Sequence, residues 1–212
     1  MNPRIELHNV DCMEYLATCE DNAFELAIVD PPYGIGAGVD RTGGANKKNS
    51  MSVLKNTQKI YDDIKPTKKY FEELQRVAQS QIIWGGNYFG NMLPATRCLV
   101  VWDKMNYLPS MSQIEIAWTS KDQHSRLVKI NSNQSDRTHI SQKPVKLYEW
   151  LLMNYAKEGD RILDTHLGSG SIAIACHNLG FDLVGCELDT DYFNAAQKRL
   201  KLHQSQLRIP MH

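Results

Sequence analysis

The residue types most able to do chemistry in this chain stand together at positions 30–33, where the sequence reads Asp-Pro-Pro-Tyr. They follow the apolar run Leu-Ala-Ile-Val, which predicts a buried strand, and two consecutive prolines must end that strand. A carboxylate and a carbonyl at this point can accept the two hydrogens of a planar amino group, while an aromatic ring stacks on the ring that bears it. The candidate catalytic residues are therefore Asp30, Pro31, Pro32 and Tyr33.

An exocyclic amine on a nucleobase is a poor nucleophile because its lone pair is delocalised into the ring. Hydrogen bonds to Asp30 and to the Pro31 carbonyl would draw the nitrogen towards a tetrahedral shape and expose that lone pair. Tyr33 could then stack on a base that has been extruded from a duplex, as chemistry on a base requires. The motif predicts chemistry on a base amine.

A second candidate site follows another predicted strand, in the sequence Arg-Ile-Leu-Asp-Thr-His-Leu-Gly-Ser-Gly-Ser at 161–171. A strand, the Asp164 carboxylate, a turn with Gly168 and Gly170, and a helix N-terminus are typical of a nucleotide-type cofactor site. Asp164 would face a cationic amine, and Glu187 would accept two ribose hydroxyls. The spacing is also that of the dinucleotide fingerprint, so NAD stays open on this motif alone. A P-loop is excluded, because no Gly-Lys-Ser/Thr follows the turn.

Both motifs need a scaffold, and short apolar runs alternating with helical patterns predict one. We expect one α/β domain over 1–212, a Rossmann-like fold with a seven-stranded, mainly parallel sheet in which the strands ending at Asp30 and Asp164 are neighbours. The predicted strands cover 5–8, 26–29, 82–84, 98–102, 114–118, 161–163 and 183–186, with the fourth and fifth as an antiparallel edge. The predicted helices cover 12–16, 67–78, 146–155, 171–179 and 192–202.

Composition excludes several classes of protein. The 212 residues carry 24 basic and 24 acidic side chains, so any nucleic-acid surface must come from local clustering. The five cysteines lack C-x-x-C spacing and the seven histidines lack metal-ligand spacing, which argues against a zinc cage, a disulfide framework or any metal site. No apolar run approaches the length of a membrane span or leader, so we expect a cytoplasmic protein.

Together the motifs resemble the β-class of amino-methylating DNA methyltransferases, the N6-adenine/N4-cytosine family, in which the catalytic motif precedes the cofactor motif. The turn at 164–170 resembles the family's S-adenosylmethionine turn Asp-Pro-Phe-x-Gly-x-Gly, with Thr165 and His166 in place of Pro-Phe. The segment His-x-x-Gln-Lys-Pro at 139–144 and Asn-Val-Asp-Cys at 9–12 resemble elements that border the cofactor's methionine and adenine.

The resemblance implies S-adenosylmethionine as cofactor, double-stranded DNA as partner and a bacterial or phage origin. The cofactor-binding residues that it implies are Asp11, Cys12, Asp30, Gln142, Lys143, Pro144, Asp164, Thr165, His166, Gly168, Ser169, Gly170, Glu187 and Leu188. The DNA-binding residues would include Arg41, Lys47, Lys48, Arg126 and Arg137. We expect residues 34–65 to form a mobile loop and residues 121–141 a short target-recognition region.

These features predict a site-specific DNA methyltransferase acting on N6 of adenine, because Asp in the first motif position is typical of adenine enzymes. Three alternatives remain: an N4-cytosine methyltransferase, a dinucleotide-binding oxidoreductase, and a non-catalytic DNA-binding partner subunit. Nothing in NAD chemistry requires the Asp-Pro-Pro-Tyr motif. A recognition region of about twenty residues predicts a short target site and a homodimer that shares the DNA contacts; a cognate restriction nuclease is not evident.

Overall fold

The computed structural model describes residues 3–34, 65–106, 112–132 and 142–206. The strands in this part of the chain are β1 Ile5–Asn9, β2 Leu26–Val29, β3 Gln81–Trp84, β4 Leu99–Asp103, β5 Ile114–Thr119, β6 Arg126–Lys129, β7 Arg161–Asp164 and β8 Asp182–Glu187. The α-helices are α1 Cys12–Ala17, α2 Lys68–Val77, α3 Val145–Tyr155, α4 Ser171–Leu179 and α5 Thr190–Ser205, and a short 3₁₀ turn covers Gly86–Tyr88.

The eight strands form one sheet in the order β1-β8-β7-β2-β3-β5-β4-β6. Strand β5 runs antiparallel to both of its neighbours, and every other described pairing is parallel. The α/β, Rossmann-like, mainly parallel architecture predicted from the sequence is therefore confirmed. Strands β2 and β7 are hydrogen-bonded neighbours, with Leu26 opposite Ile162. The two motifs that follow these strands consequently share one edge of the sheet, as predicted.

The prediction of seven strands was wrong, because β6 adds an eighth. Strand β6 buries only Val128 and exposes its other three residues, so its sequence Arg-Leu-Val-Lys lacks the apolar run that marks the interior strands. It pairs with β4 and forms one edge of the sheet. The antiparallel β4–β5 pair was correctly expected but lies inside the sheet and not at its edge.

The helices cover both faces of the sheet. On β2 the side chains alternate: Leu26 and Ile28 pack into one hydrophobic cluster, with residues of α3, α4 and α5, and Ala27 and Val29 pack into the other, with residues of α1 and α2. A central strand that is buried on both faces is expected to be apolar along its whole length. The first polar side chain after β2 is that of Asp30, which therefore lies at the carboxyl end of the strand.

Helix α2 shows how the sequence specifies the face that it buries. Its buried residues Tyr70, Phe71, Leu74 and Val77 recur at helical spacing, and Pro66 and Thr67 precede its first turn. The chain therefore enters the helix with its apolar stripe against the sheet. Tyr70 at the start of this stripe reaches the cofactor motif on β7.

Within the described residues, no helix is both long and apolar enough to cross a membrane. The same part of the chain contains no group of three or more His, Cys, Asp or Glu side chains arranged to hold a metal ion. All five cysteines are free thiols.

Candidate functional site

The Asp30 carboxylate lies directly after β2 and is held by its own motif. The Tyr33 hydroxyl donates a 2.6 Å hydrogen bond to Asp30 Oδ1. The Tyr33 ring stacks on the ring of Tyr88, with centroids 5.0 Å apart and an interplanar angle of 19°. Pro31 is buried, which fixes the backbone between the carboxylate and the ring. The four predicted catalytic residues thus follow one another at the end of the strand, with Tyr33 folded back onto Asp30.

Gly85 makes space for the Tyr33 ring. It follows β3 with a φ of +69°, and a Cβ at this position would lie 2.3 Å from Tyr33 Cε1. The neighbouring Gly86 is equally constrained, because its Cβ would lie 2.4 Å from the Cβ of Trp118 on β5. The Trp-Gly-Gly-Asn sequence at 84–87 therefore lets β3, β5 and the Asp30 motif approach one another closely.

The second oxygen of Asp30 forms an ion pair with Lys143, which immediately precedes the Pro144 cap of α3. The Lys143 ammonium also lies 3.1 Å from Glu115 Oε2, on β5, and 5.1 Å from the centroid of the Trp84 ring. The other oxygen of Glu115 pairs with Lys104, which follows β4. The sequence assigned Lys143 to the cofactor; in the structure its ammonium contacts the Asp30 carboxylate.

The charges in this group, which we call the Asp30 cluster (Asp30, Tyr33, Lys104, Glu115 and Lys143), support one another. Burial would lower the pKa of Lys143, but the carboxylates of Asp30 and Glu115 outweigh it and raise that pKa. Burial would raise the pKa of Glu115, but Lys143 and Lys104 outweigh it and lower that pKa. Burial, followed by the Asp30 charge, raises the pKa of Tyr33 well above its usual value. At neutral pH the tyrosine is therefore a donor and Lys143 is a cation.

Asp164, at the end of β7, is a buried carboxylate that accepts a backbone hydrogen bond. Its Oδ1 accepts a 3.0 Å hydrogen bond from the His166 backbone N–H, and only 2% of the residue is exposed. Within the described part of the chain no lysine or arginine forms an ion pair with it. Burial raises the pKa of Asp164 to about 8, and the negative charges of Asp30 and Glu187 add to this effect. The site can therefore accept a cation.

Glu187, at the end of β8, organises the glycine turn. Its Oε2 accepts a 2.8 Å hydrogen bond from the Gly168 N–H, and its Oε1 accepts one of 2.9 Å from the Asp189 N–H, before α5. Gly168 and Gly170 both have positive φ, at +50° and +71°. Burial raises the pKa of Glu187. A carboxylate can accept about four hydrogen bonds, so Glu187 can accept from a hydroxyl in addition to these backbone groups.

The side chains at Thr165 and His166, where the family usually has Pro-Phe, form a polar wall. The Thr165 hydroxyl lies 2.7 Å from the Tyr70 hydroxyl and 2.9 Å from His166 Nδ1. The His166 and Tyr70 rings meet edge to face at 5.4 Å. Burial lowers the pKa of His166 to about 4, so the imidazole is neutral at physiological pH.

The remaining residues predicted for the cofactor lie at the same edge of the sheet or next to it. Asp11 caps α1, with its Oδ1 accepting a 2.7 Å hydrogen bond from the Met13 N–H. Cys12 begins that helix, and burial raises the pKa of its thiol to about 12. Leu188 is 48% exposed beside Glu187 and offers an apolar surface. Gln142, next to Lys143, is buried, and the Ser169 backbone carbonyl accepts a 3.0 Å hydrogen bond from the Arg199 guanidinium.

Of the residues predicted to contact DNA, the structure describes Arg126, which is exposed on β6, hydrogen-bonds Asn154 and lies 5.9 Å from the Tyr155 ring centroid. The other predicted contacts, Arg41, Lys47, Lys48 and Arg137, lie outside the described residues, as do the interior of the predicted mobile loop and residues 133–141 of the recognition region. The ends of that loop meet beside the site: a Cβ on Gly34 would lie 2.9 Å from Lys65 Cβ.

The residues that follow β7 and β8 fit S-adenosylmethionine. A buried carboxylate without a cationic partner is expensive unless a ligand supplies the cation, and the ammonium of the cofactor's methionine portion is such a group. Two glycines in the left-handed region let backbone approach a ligand, and Glu187 can accept from ribose hydroxyls. Asp30 follows the adjacent strand β2, so an amine held there would lie at the same edge of the sheet as the Asp164 turn.

Sequence reasoning missed three residues of the site. Glu115 is the one charged residue of β5, in the run Ile-Glu-Ile-Ala-Trp, and a lone carboxylate in an otherwise apolar strand was the available signal. Tyr70 could have been recognised only by knowing that α2 packs beside β7. Arg199, on α5, donates to the Ser169 carbonyl and to the Ser171 hydroxyl at 2.9 Å, and helical periodicity gave no sign of this contact.

Comparison with solved structures identifies the fold. The crystal structure of an M1.HpyAVI–SAM complex matches with a TM-score of 0.63 at 18% identity, over 92% of this chain and 98% of that one. The cytosine-N4-specific PvuII DNA methyltransferase matches with a TM-score of 0.65 at 13% identity, over 94% and 87%. The fold is that of the S-adenosylmethionine-dependent DNA methyltransferases.

Sequence comparisons show the family to which this chain belongs. The model of the N6/N4 DNA methylase family matches residues 55–198. The type II methyltransferase M2.DpnII of Streptococcus pneumoniae is 22% identical over 94% of this chain and 90% of its own length. M1.MboII of Moraxella bovis, also a type II methyltransferase, is 21% identical over 90% and 94%. This chain belongs to the N6/N4 DNA methylase family, and its methyl donor is S-adenosylmethionine.

Proposed function

We propose that this protein transfers a methyl group from S-adenosylmethionine to the N6 amine of adenine in double-stranded DNA. We choose the adenine amine because Asp30 supplies a carboxylate at the end of β2. Tyr33 and Lys143 hold this carboxylate in place. A carboxylate accepts two strong hydrogen bonds and carries a full negative charge, which suits an amine that becomes cationic as it is methylated.

The residues of the motif have separate tasks in this proposal. Asp30 and the Pro31 carbonyl accept the two amine hydrogens, and Tyr33 stacks on the extruded base. The Tyr33 ring is already stacked on Tyr88, so the base would extend or replace an existing aromatic contact. The methylated nitrogen then releases one proton, for which the Asp30 carboxylate is the nearest acceptor of the motif. S-adenosylmethionine supplies an electrophilic methyl group, so no metal is needed.

The cofactor would be held by the residues that follow β7 and β8. Asp164 would pair with its ammonium, Glu187 would accept from its ribose hydroxyls, and Leu188 would pack against its adenine. Gln142 and Pro144 would border its methionine end, with Asp11 near the adenine amine. Thr165, His166 and Ser169 would line the turn.

The proposal for DNA binding rests on Arg126, together with the basic residues of the two segments outside the described residues. Arg126 is exposed on the edge strand β6. Because a recognition region at 121–141 is too short to form an independent domain, we propose that a second copy of the chain supplies phosphate contacts, and that the target site is only a few base pairs long.

The direct test of the function is a product analysis. Unmethylated double-stranded DNA would be incubated with the protein and labelled S-adenosylmethionine, digested to nucleosides and analysed by mass spectrometry. We expect labelled N6-methyladenine. Labelled N4-methylcytosine would replace the proposal with the cytosine alternative, and absence of both products, with NAD binding in place of S-adenosylmethionine, would overturn it.

Asp30→Ala should abolish methyl transfer and leave cofactor affinity close to that of the unmodified protein, because the carboxylate acts on the substrate amine. General acid–base and positioning groups of this kind contribute about 10²–10⁴-fold to a rate. The measurement is kcat with a defined duplex, together with calorimetric affinity for S-adenosylmethionine. Near-normal turnover of this variant would show that Asp30 is not the acceptor.

A further inference from the structure

The Asp30 cluster reaches beyond the groups that touch a substrate. We propose that Glu115 is a positioning residue for methyl transfer: it holds the Lys143 ammonium against Asp30, so that the carboxylate stays ionised and correctly aimed at the base amine. This inference rests on the proposed function, in which Asp30 receives that amine.

The geometry makes Lys143 a bridge between two carboxylates. Its ammonium pairs with Asp30 on one side and lies 3.1 Å from Glu115 on the other. The three residues come from different parts of the fold: Asp30 follows β2, Glu115 lies on β5, and Lys143 precedes α3. Only 4% of the Lys143 side chain is exposed, so water cannot replace either partner freely. A flexible lysine that is held from both sides has a defined position.

Charge balance supports a functional unit. Lys104 pairs with the second oxygen of Glu115, so two carboxylates alternate with two ammonium groups along one line: Asp30, Lys143, Glu115 and Lys104. The line is neutral as a whole. Removing one member leaves an uncompensated charge in a partly buried site, which is strongly unfavourable. The Glu115 side chain is 23% exposed and that of Lys104 is 18% exposed. The Glu115–Lys104 pair is therefore only slightly more exposed to solvent than the Asp30–Lys143 pair.

Lys143 also explains how Asp30 can have two occupied oxygens and still serve a substrate. Each carboxylate oxygen accepts about two hydrogen bonds. Tyr33 and Lys143 take one position on each oxygen and fix the plane of the group, which leaves one position on each oxygen for a substrate. An adjacent ammonium further favours the ionised carboxylate over its protonated form.

The titratable groups that face Asp30 come from every element packed around it. Among the described residues these are Tyr33 of its own motif, Lys143 before α3, Tyr148 on α3 and Asp164 on β7. Lys143 in turn contacts Glu115 on β5, which pairs with Lys104 after β4. Of these, Lys143 is the group that supplies positive charge in direct contact with the Asp30 carboxylate. Replacing it should therefore change the pH at which Asp30 accepts a proton more than replacing any other member.

The first variant removes the ammonium. In Lys143→Met the side chain keeps most of its length and loses its charge. We expect the acidic limb of the pH profile of kcat to move to higher pH by about one unit or more. Activity near the acidic limb should fall by about tenfold for each unit and recover at alkaline pH. Lys143→Arg restores a cation and should return the limb most of the way to its original position.

The second variant removes the carboxylate that holds Lys143. In Glu115→Gln we expect the alkaline limb of the pH profile of kcat to move to lower pH. The reason is that Lys143 loses one of the two negative charges that keep it protonated. The KM values for DNA and S-adenosylmethionine should change little. Glu72→Gln is the matched control: Glu72 forms an exposed surface ion pair with Lys68, so the same change of charge should move neither limb.

A readout that does not depend on turnover separates the inference from the proposed function. The Asp30 carboxyl carbon, assigned by ¹³C NMR through its loss in Asp30→Asn, should titrate at higher pH in Lys143→Met than in the unmodified protein. A protein that makes no methylated base would overturn the function, while this titration would still decide the inference. If both limbs and the titration stay in place and kcat falls equally at every pH, Glu115 and Lys143 are merely structural and the proposal is wrong.

Discussion

The Asp164 carboxylate connects burial, protonation and ligand binding in the predicted cofactor site. Its carboxylate is buried, accepts a hydrogen bond from the His166 N–H, and has a pKa of about 8 because burial penalises its charge. A cation bound beside it would reverse that penalty. The affinity for a cationic ligand and the protonation of Asp164 are therefore linked.

That linkage predicts how cofactor affinity depends on pH. Below about pH 8 the free protein holds a proton on Asp164 that must leave before an ammonium can pair with the carboxylate. Calorimetry should show S-adenosylmethionine binding more weakly as the pH is lowered from 8 to 6, with release of a proton on binding. Asp164→Asn should bind about tenfold or more weakly, as expected for a lost hydrogen bond to a charged group, and without this pH dependence. Equal affinity of the two proteins at pH 8 would contradict the assignment.

The same side chain predicts a pH dependence of stability in the ligand-free protein. A folded-state pKa above the unfolded value means that the folded chain binds the extra proton, so stability is present at low pH and is lost as the pH rises towards about 8. Relative to Asp164→Asn, the free energy of unfolding should fall by up to about 1.4 kcal/mol per pH unit within that window. Urea unfolding of both proteins at several pH values measures the difference. A constant difference would mean that the carboxyl is not protonated on folding.

Residues that end a buried strand could be predicted, and residues that meet them from elsewhere could not. Asp30 and Asp164 each follow an apolar run, which the sequence displays directly. Lys143 was found through its Gln-Lys-Pro segment, but its contact with Asp30 depends on how α3 begins over the sheet. Glu115 lies on a strand whose direction and neighbours the local pattern does not specify. Long-range pairing determines these contacts, and no local propensity encodes it.

At the level of elements, the turn after β3 links sheet geometry to the substrate site. Gly85 has positive φ, donates its N–H to the Ile116 carbonyl of β5 at 2.9 Å, and lies against the Tyr33 ring. The antiparallel neighbour β5 and the motif after β2 are thus positioned by one residue without a side chain.

Gly85→Ala should therefore damage stability and activity together. The left-handed conformation costs an alanine about 1–2 kcal/mol, and the new methyl group would displace the Tyr33 ring that it overlaps. We expect a lower free energy of unfolding in urea and a large loss of kcat. Gly90→Ala is the control, because a Cβ there meets nothing within 4 Å. Activity that falls no more in Gly85→Ala than in Gly90→Ala would show that the ring position is unimportant.

The elements themselves were largely predictable, with the exception of β6. Strands buried on both faces, such as β2 and β3, have continuous apolar sequences, and α2 has an unmistakable stripe. Strand β6 exposes Leu127 and buries Val128, because an edge strand with one partner needs only one inward residue. This strand forms because it pairs with Val100–Asp103 of β4. Its own sequence does not predict it.

At the scale of the whole molecule, the proposed dimer can be measured directly. Sedimentation velocity from nanomolar to micromolar concentration should show dissociation of a dimer, and specific activity should fall over the same range, because the second copy contributes DNA contacts. Adding a duplex that contains the target should shift the transition to lower concentration. A monomer that remains fully active at nanomolar concentration would rule the dimer out.

The strand order also has a consequence for how this protein is made. Strand β2 acquires β3 early, but its other neighbour, β7, and the partner of β1, β8, both lie near the end of the chain. During synthesis the apolar edge of β2 therefore stays open until β7 has left the ribosome, which exposes the nascent chain to misassociation. A ribosome stalled before β7 would display the Asp30 motif without the Asp164 turn beside it. Truncated products of this gene should thus depend on chaperones for solubility, and none of them can carry out methyl transfer.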